Sequence, residues 1–133
     1  MAGYSGTPLV DKLGLKPGMK VHFCEAPRDY FKTLGRTPTI VLMTRLKGTL
    51  DFIQYFVTAR RDLEARFPAL EQALATDGML WISWPKKASG VDTDLSEDLI
   101  REAGLASGLV DVKVCAVDDI WSGLKFVRRL ADR

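Results

Sequence analysis

Short apolar runs of strand length alternate with stretches of helical periodicity along most of this sequence. Four such runs carry the apolar, β-branched or aromatic residues typical of strands: Lys20–Glu25, Thr39–Met43, Leu50–Val57 and Met79–Trp84. The nearly continuous run Thr39–Met43 predicts a strand that is covered on both faces. This alternation is typical of α/β proteins, in which helices cover the faces of a sheet.

Length and charge limit the function classes that are open to the chain. Its 133 residues predict a single domain, residues 1–133, because separate cores appear only in longer chains. Hydrophobic residues make up 47% and charged residues 27%, which excludes an intrinsically disordered chain. The net charge of +2 is too small to predict binding to nucleic acid or to an anionic membrane. No apolar run approaches the length of a membrane span.

The cysteines and the single histidine predict no metal site. Cys24 and Cys115 lie in apolar stretches without a CxxC pair, which is typical of buried free thiols in a reducing compartment. The first residues show no basic stretch followed by an apolar one, so we expect a cytoplasmic protein. His22 and Cys24 together give fewer ligands than a zinc site needs, and no nucleophile and base stand in a catalytic pattern.

Four helices are predicted between the strand runs. Each has a capping or proline residue near its start, and three of them have a glycine at their end. Pro68 interrupts the longest helix, so we expect two helical pieces or a kink there, and the turn Asp77-Gly78 leads into the next strand. The residues expected to begin helices are Thr7, Pro27, Thr58 and Asp94, the last in a capping box with Glu97, and those expected to end them are Gly14, Gly35 and Gly104.

Two short connections restrict the topology. Residues 44–49 are too few for a helical crossover, so the strands on either side are antiparallel or are separated in the sheet by a stretched connection. The last two runs, Val110–Val117 and Leu124–Leu130, have no helix between them and predict a hairpin. We therefore expect an α/β fold, a three-layer Rossmann-like sandwich with a mixed sheet of about six strands that ends in an antiparallel hairpin.

Ligands of such folds bind at the carboxyl ends of the strands. The loop after the fourth strand offers an aromatic ring for stacking, two cations, a hydroxyl and backbone donors, which suit a phosphate or a carboxylate. The alternative for this loop is a solvated basic loop with its tryptophan in the core. The alternative for Arg60, just after the third strand, is surface ion pairing. The ligand-binding residues predicted on this basis are Glu25, Arg60, Trp84, Lys86, Lys87, Ser89 and Gly90.

The entry to the first strand has a distinctive pattern. Residues Leu15–Val21 read Leu-Lys-Pro-Gly-Met-Lys-Val, which resembles the entry to the first strand of class I methyltransferases. The passage Leu70–Trp84, which runs from a helix through Asp77-Gly78 into an apolar strand, and the closing hairpin are also similar. The resemblance covers most of the chain and implies a methyltransferase-like architecture.

This chain lacks the glycine-rich cofactor loop of that family. In class I methyltransferases the first strand runs into an acidic residue and a glycine-rich loop, which lets the backbone approach the cofactor. The corresponding residues here are Glu25-Ala26-Pro27-Arg28, without a glycine, and Thr44-Arg45 places no acid after the second strand to hold a ribose. We therefore expect that Ala26 and Pro27 leave no open cleft for an adenosyl group, and that no cofactor is bound.

Five further blocks of the sequence carry a second resemblance: Ala2–Leu9, Trp84–Val91, Thr93–Leu95, Gly108–Ala116 and Trp121–Leu124. These blocks resemble the small bacterial proteins of the domain-of-unknown-function 3052 family. The resemblance implies a family without a known activity.

Together these observations favour a non-catalytic Rossmann-like binding module. Its expected partner is a small anionic or nucleotide-like ligand, or a protein, at the loop after the fourth strand, with neither nucleic acid nor membrane involved. The alternative is a divergent methyltransferase-like enzyme whose cofactor loop is rebuilt around residues 25–28.

Overall fold

The computed structural model describes residues 6–133 as one six-stranded sheet with helices on both faces. Part of the predicted block Ala2–Leu9 lies outside the described residues. The strands are β1 (Lys20–Cys24), β2 (Val41–Leu42), β3 (Leu50–Phe56), β4 (Leu74–Pro85), β5 (Leu109–Ala116) and β6 (Trp121–Arg128). The helices are α1 (Leu9–Leu13), α2 (Tyr30–Leu34), α3 (Arg60–Ala73) and α4 (Glu97–Ala106), with short 3₁₀ turns at Lys87–Ser89 and Leu130–Asp132.

The strand order is β2-β1-β3-β4-β6-β5. The first four strands are parallel, whereas β6 runs antiparallel to both β4 and β5. This arrangement confirms the predicted α/β fold, its mixed sheet of six strands and its closing antiparallel hairpin.

The structure also decides between the two topologies left open for β2 and β3. Both strands are parallel to β1 and lie on opposite sides of it, so the connection between them is the stretched one. A short connection suffices because β2 has only two residues, which pair with Lys20 and Val21 near the start of β1. The chain therefore returns over a small distance before β3 begins.

Two cores pack on the two faces of the sheet. Along β3 the side chains alternate, so that Ile53 and Tyr55 face α3 and α4, while Phe52 and Phe56 face α1 and α2. Every residue from Phe52 to Val57 is buried, including the polar Gln54, as is typical of a central parallel strand covered on both faces.

The prediction that the second strand is covered on both faces is wrong. Val41 and Leu42 are 48% and 52% exposed, respectively. The strand lies at the edge of the sheet and pairs with β1 alone, so its apolar side chains lack a neighbour on the outer side.

Helix α3 continues through Pro68 as a single helix, so of the two alternatives predicted there, two pieces or a kink, the division into two pieces is wrong. Proline removes one backbone donor from a helix, but Pro68 is exposed, on a side of the helix that faces solvent. The helix begins after Ala59, which has no capping side chain, and not after the predicted cap Thr58.

The other helix ends were predicted with mixed success. Gly14 and Gly35 are the C-cap residues of α1 and α2, as predicted, and both have positive φ. Pro8, not Thr7, is the N-cap of α1, and α2 begins at Tyr30, three residues after Pro27.

Helix α4 departs from prediction at both ends. Its N-cap is Ser96, whose Oγ accepts a hydrogen bond of 3.2 Å from the Leu99 amide, so the predicted capping box of Asp94 is wrong. Gly104 does not end the helix but lies inside it, buried against Phe126 of β6.

The predicted turn at Asp77-Gly78 is an irregularity within β4. Leu50 pairs with Leu74, but Phe52 pairs with Met79, so several residues of β4 bulge between these pairs. A Cβ atom at Gly78 would lie 2.9 Å from the Leu50 carbonyl oxygen, which explains why glycine stands there.

A chain of buried hydrogen bonds fixes α2 on the sheet. The Tyr30 hydroxyl donates to Gln54 Oε1 at 2.7 Å, and Gln54 Nε2 donates to Ser83 Oγ at 3.1 Å. Because each buried polar group has a partner, the chain joins α2, β3 and β4 without an unsatisfied atom. It thereby holds the helix that follows the β1 loop in one position.

Candidate functional site

The candidate site lies where the chain reverses its direction of progress along the sheet. From β1 the chain passes through α2 to β2 on one side, and then to β3 and β4 on the other side. Ligands of open α/β sheets bind at such switch points, beyond the carboxyl ends of the strands. A cleft of about 540 Å³ occupies this position. Its lining residues are Glu25, Tyr55, Phe56, Val57, Thr58, Asp62, Ala65, Arg66 and Trp121.

The turn after β1 does not close this cleft. Glu25 has a φ of 58°, in the left-handed region that glycine adopts most readily, and Asp29 has a φ of 65°. Neither Ala26 nor Pro27 lines the cleft. The expectation that these two residues exclude an open cleft is therefore wrong, because Glu25 itself takes the backbone conformation that a glycine would provide.

Helix α3 forms one wall of the cleft and supplies its only cation among the described lining residues. Arg66 Nη1 donates to Cys24 Sγ at 3.0 Å, and its guanidinium lies 5.5 Å from the centre of the Tyr55 ring. Burial raises the pKa of the Cys24 thiol and raises the pKa of Tyr55 to about 12, while the charge of Arg66 opposes both shifts. Both groups are therefore neutral at ordinary pH.

The opposite wall is aromatic and was missed by the sequence reasoning. Trp121 lies at the start of β6, and its ring meets Phe56 edge to face at 5.2 Å. The Asp118 carboxylate accepts a hydrogen bond of 2.7 Å from the Trp121 amide and so fixes the turn before it. The predicted closing hairpin could have located Trp121 at the site, because a strand antiparallel to β4 begins at the edge of the sheet where β4 ends.

The structure does not bring the seven predicted ligand residues together. Of these residues only Glu25 lines the cleft. Arg60 borders a separate groove of about 200 Å³ between α3 and α4, and pairs with Glu64 at 3.6 Å. Trp84 is 7% exposed and packs in the core beneath those helices, which leaves no open ring face for stacking.

The loop after β4 is held by contacts of its own. Lys86 Nζ donates to the Asp118 carbonyl at 2.6 Å, and Ser89 Oγ donates to the Lys86 carbonyl at 2.6 Å. Lys87 is exposed, and Gly90 has a φ of 77°. Anion binding by this loop remains a prediction, with two of its polar side chains already engaged.

The same loop is attached to the wall of the cleft. The Asp94 carboxylate accepts a hydrogen bond of 2.7 Å from the Arg60 amide, and so caps α3 in place of a side chain from Ala59. The Thr93 hydroxyl donates to the Thr58 carbonyl at 2.6 Å. Asp94 thus serves the helix that precedes it in the chain, which explains why it does not cap α4.

Within residues 6–133 no three His, Cys, Asp or Glu side chains are grouped to hold a metal ion. His22 instead places Nδ1 3.0 Å from the Met43 carbonyl oxygen. In the same part of the chain, no helix has the length and apolar character to cross a membrane.

Comparisons with known proteins identify the fold. Searches of family models and of curated proteins returned no match, whereas several solved structures are similar. Magnesium protoporphyrin IX methyltransferase from Synechocystis is 17% identical, with 91% of this chain and 74% of that chain covered and a TM-score of 0.59. A putative type 11 methyltransferase from Sulfolobus solfataricus is 15% identical, with 86% and 85% covered and a TM-score of 0.61. Precorrin-6y C5,15-methyltransferase from Geobacter metallireducens is 10% identical, with 91% and 86% covered and a TM-score of 0.61.

These neighbours correct the functional interpretation of the sequence. They are methyltransferases, which favours a divergent methyltransferase-like enzyme over the non-catalytic module that the sequence led us to prefer. That preference is wrong. At such low identities the likeness establishes the fold: the chain has the Rossmann-like architecture of class I S-adenosylmethionine-dependent methyltransferases.

Proposed function

We propose that this chain is a methyltransferase-like enzyme that binds S-adenosylmethionine in the cleft at the carboxyl ends of β1 and β3. The observation that carries the proposal is the position of this cleft at the switch point of the sheet, with Glu25 in a left-handed conformation beside it. A strained residue at such a place is typical of a functional site. The Synechocystis methyltransferase named above was solved with bound S-adenosylmethionine and with bound S-adenosylhomocysteine, which supports the choice of ligand.

The size of the cleft suits a ligand of this class. Pockets that bind small molecules and cofactors usually measure about 300–1,000 Å³. The cleft measures about 540 Å³ and has aromatic rings as well as polar side chains in its walls. Trp121 and Phe56 offer apolar surface, and Thr58 offers a hydroxyl.

The charges of the cleft suit a cationic ligand. S-adenosylmethionine carries positive charge on its sulfonium and ammonium groups and negative charge on its carboxylate, which leaves it a net cation. The Glu25 and Asp62 carboxylates line the cleft, and neither forms a hydrogen bond or an ion pair with another described residue. The cation Arg66 is engaged with Cys24 and Tyr55. An unpaired carboxylate in a partly enclosed cleft attracts a cation more strongly than it does in bulk water.

The residues that would hold the cofactor differ in part from those of related folds. Thr44 and Arg45 follow β2, so no carboxylate there is placed to hold a ribose. The residues that would bind and orient the ligand are Glu25 after β1, Thr58 after β3, Asp62 on α3 and Trp121 on β6. When bound, the cofactor supplies an activated methyl group on sulfur, and the walls of the cleft shield that group from water.

Calorimetric titration of the whole chain with S-adenosylmethionine and S-adenosylhomocysteine tests the proposal. We expect Glu25→Gln to weaken binding of S-adenosylmethionine about tenfold, or about 1.4 kcal/mol. Binding of S-adenosylhomocysteine should weaken less, because its sulfur is uncharged. Glu64→Gln is the matched control, since Glu64 is exposed on α3 outside the cleft and should leave both affinities unchanged.

Two results would contradict the proposal. One is that neither compound binds at millimolar concentration. The other is binding that Glu25→Gln and Glu64→Gln affect equally, since the ligand would then lie elsewhere.

Two further proposals concern the family and the cellular compartment of this protein. The quoted sequence blocks support membership of the domain-of-unknown-function 3052 family, which would make this fold and cleft relevant to other bacterial members. Cys24 and Cys115 are free thiols, which supports the prediction of a cytoplasmic protein.

A further inference from the structure

The outer edge of β2 presents unpaired backbone groups. The Val41 amide donates to the Met19 carbonyl at 2.8 Å, and the Met43 amide donates to the Val21 carbonyl at 2.7 Å. Because backbone groups alternate in direction along a strand, the amide and carbonyl of Leu42 point away from β1. No described strand lies on that side, so Leu42 offers one donor and one acceptor to an additional strand.

Apolar side chains flank this edge on both faces of the sheet. Leu42 and Val41 are about half exposed and point to opposite faces. Phe31 of α2 is 54% exposed and packs edge to face on Phe23 at 5.4 Å. Phe23 is the next β1 residue after Val21 on the face that Leu42 shares, so Phe31 and Leu42 border one apolar surface.

The segment that forms this edge of the sheet is rich in exposed cations. Residues 20–47 carry six of the 19 Lys and Arg residues but only two of the 17 Asp and Glu residues, a net charge of +4. All six cations are exposed, and Lys32 forms a long pair of 3.9 Å with Asp29. Arg36 and Arg45 form no ion pair with any described residue. The six cations are Lys20, Arg28, Lys32, Arg36, Arg45 and Lys47.

We propose that the edge of β2 is a docking surface for an acidic, extended peptide segment of a partner protein, which adds to the sheet as a strand beside Leu42. Such strand addition uses the free backbone groups for affinity and neighbouring apolar surfaces for specificity. The exposed cations of residues 20–47 favour acidic side chains in the added strand.

The charge distribution favours this occupant over two others. A second copy of the chain at the same edge would bring two clusters of cations together, and their repulsion opposes a symmetric dimer. Single-stranded nucleic acid binds through aromatic platforms on which bases stack. Here the exposed side chains at the strand itself are aliphatic, which suits a peptide better.

A fluorescently labelled peptide of about six alternating Glu and Val residues is the probe. Titration of the whole chain, followed by fluorescence anisotropy, should show saturable binding. A peptide of the same length with proline at two central positions should bind at least about tenfold more weakly, because proline lacks the donor that a paired strand needs. Binding should not require S-adenosylmethionine, so this test is independent of the cofactor proposal.

Two further measurements locate the peptide. The double variant Arg36→Glu and Arg45→Glu should weaken binding at least about tenfold, whereas Arg129→Glu, an exposed arginine beyond β6, should change it less than about twofold. Bound peptide should slow hydrogen exchange of the Leu42 amide at least about tenfold, because that amide becomes hydrogen-bonded.

Each of the following results overturns the proposal. The Glu-Val peptide fails to bind at millimolar concentration. It binds without protecting the Leu42 amide. A single-stranded oligouridylate binds more tightly than the peptide at the same salt concentration and loses affinity in the Arg36→Glu and Arg45→Glu variant, which would identify a nucleic-acid surface instead.

Discussion

Replacement of Gly104 by alanine tests how tightly α4 packs on the sheet. Gly104 lies inside the helix and is buried, and a Cβ atom built there would overlap the ring of Phe126. Phe126 is fully buried in β6, so its ring has little room to move. Alanine in a helix interior normally adds about 1 kcal/mol of stability over glycine. Overpacking of a filled core costs about 1–3 kcal/mol.

Helix propensity and overpacking change the stability in opposite directions, and the overlap of the new Cβ atom with the Phe126 ring makes overpacking the larger effect. Because the new methyl group meets ring carbons of a fully buried side chain, we place the cost near the upper end. The net expectation is a loss of about 2 kcal/mol from the free energy of unfolding. Urea denaturation of Gly104→Ala and of the unmodified chain measures it.

Two controls separate packing from helix propensity. Glu102 is exposed in the same helix, so Glu102→Ala should be about 1 kcal/mol more stable than Glu102→Gly. In a Phe126→Leu background, where the ring is absent, Gly104→Ala should no longer destabilise. The reasoning is refuted if Gly104→Ala raises the free energy of unfolding in the unmodified chain.

Three other expectations concern stability and reactivity. Tyr30→Phe leaves buried Gln54 Oε1 without its donor and should cost about 1–3 kcal/mol in urea denaturation, and a cost below about 0.5 kcal/mol would contradict this. Arg101 lowers the pKa of Asp111 in the folded protein. The stability that this ion pair contributes is therefore present above the pKa of Asp111 in the unfolded chain, about 3.9, and is lost as the pH falls through its lower pKa in the folded chain. Asp111→Asn should therefore be destabilising near pH 7 and close to neutral near pH 2, and an equal effect at both pH values would argue against the ion pair. Cys24 is 2% exposed with a raised pKa, so iodoacetamide should label it slowly in the folded protein and rapidly in urea, as read by mass spectrometry, and rapid labelling in buffer would disagree.

The strands and the closing hairpin were predictable because their signals are local. Apolar runs such as Leu50–Val57 mark buried strands through residue type alone. The exposure of Val41 and Leu42 was not predictable in the same way, since it depends on the order of strands in the sheet. Short connections left that order open, and the same apolar residues suit either a central or an edge position.

Helix caps show a second limit of sequence reasoning. Asp94 and Ser96 both carry oxygen atoms suited to an N-cap, and local preference does not separate them. The structure separates them because Asp94 accepts from Arg60, which is distant in sequence, and Ser96 then caps α4.

The cleft combines both limits. Glu25 was identified from its place after the first strand, but its left-handed backbone was not, because residues other than glycine rarely adopt that conformation. Trp121 enters the cleft only through the direction of β6 relative to β4. A prediction from residue type therefore selected the cationic loop after β4 and overlooked an aromatic wall.

The hydrogen bonds from Thr93 and Asp94 to the beginning of α3 bear on how this protein tolerates insertions and deletions. Surface loops usually accept changes of length. Here a residue added or removed within 86–92 would shift both bonds, and with them Thr58 and the first turn of α3, although residues 86–92 do not line the cleft. Length variants of this loop are therefore expected to alter the shape of the cleft, and functional relatives should keep its length constant.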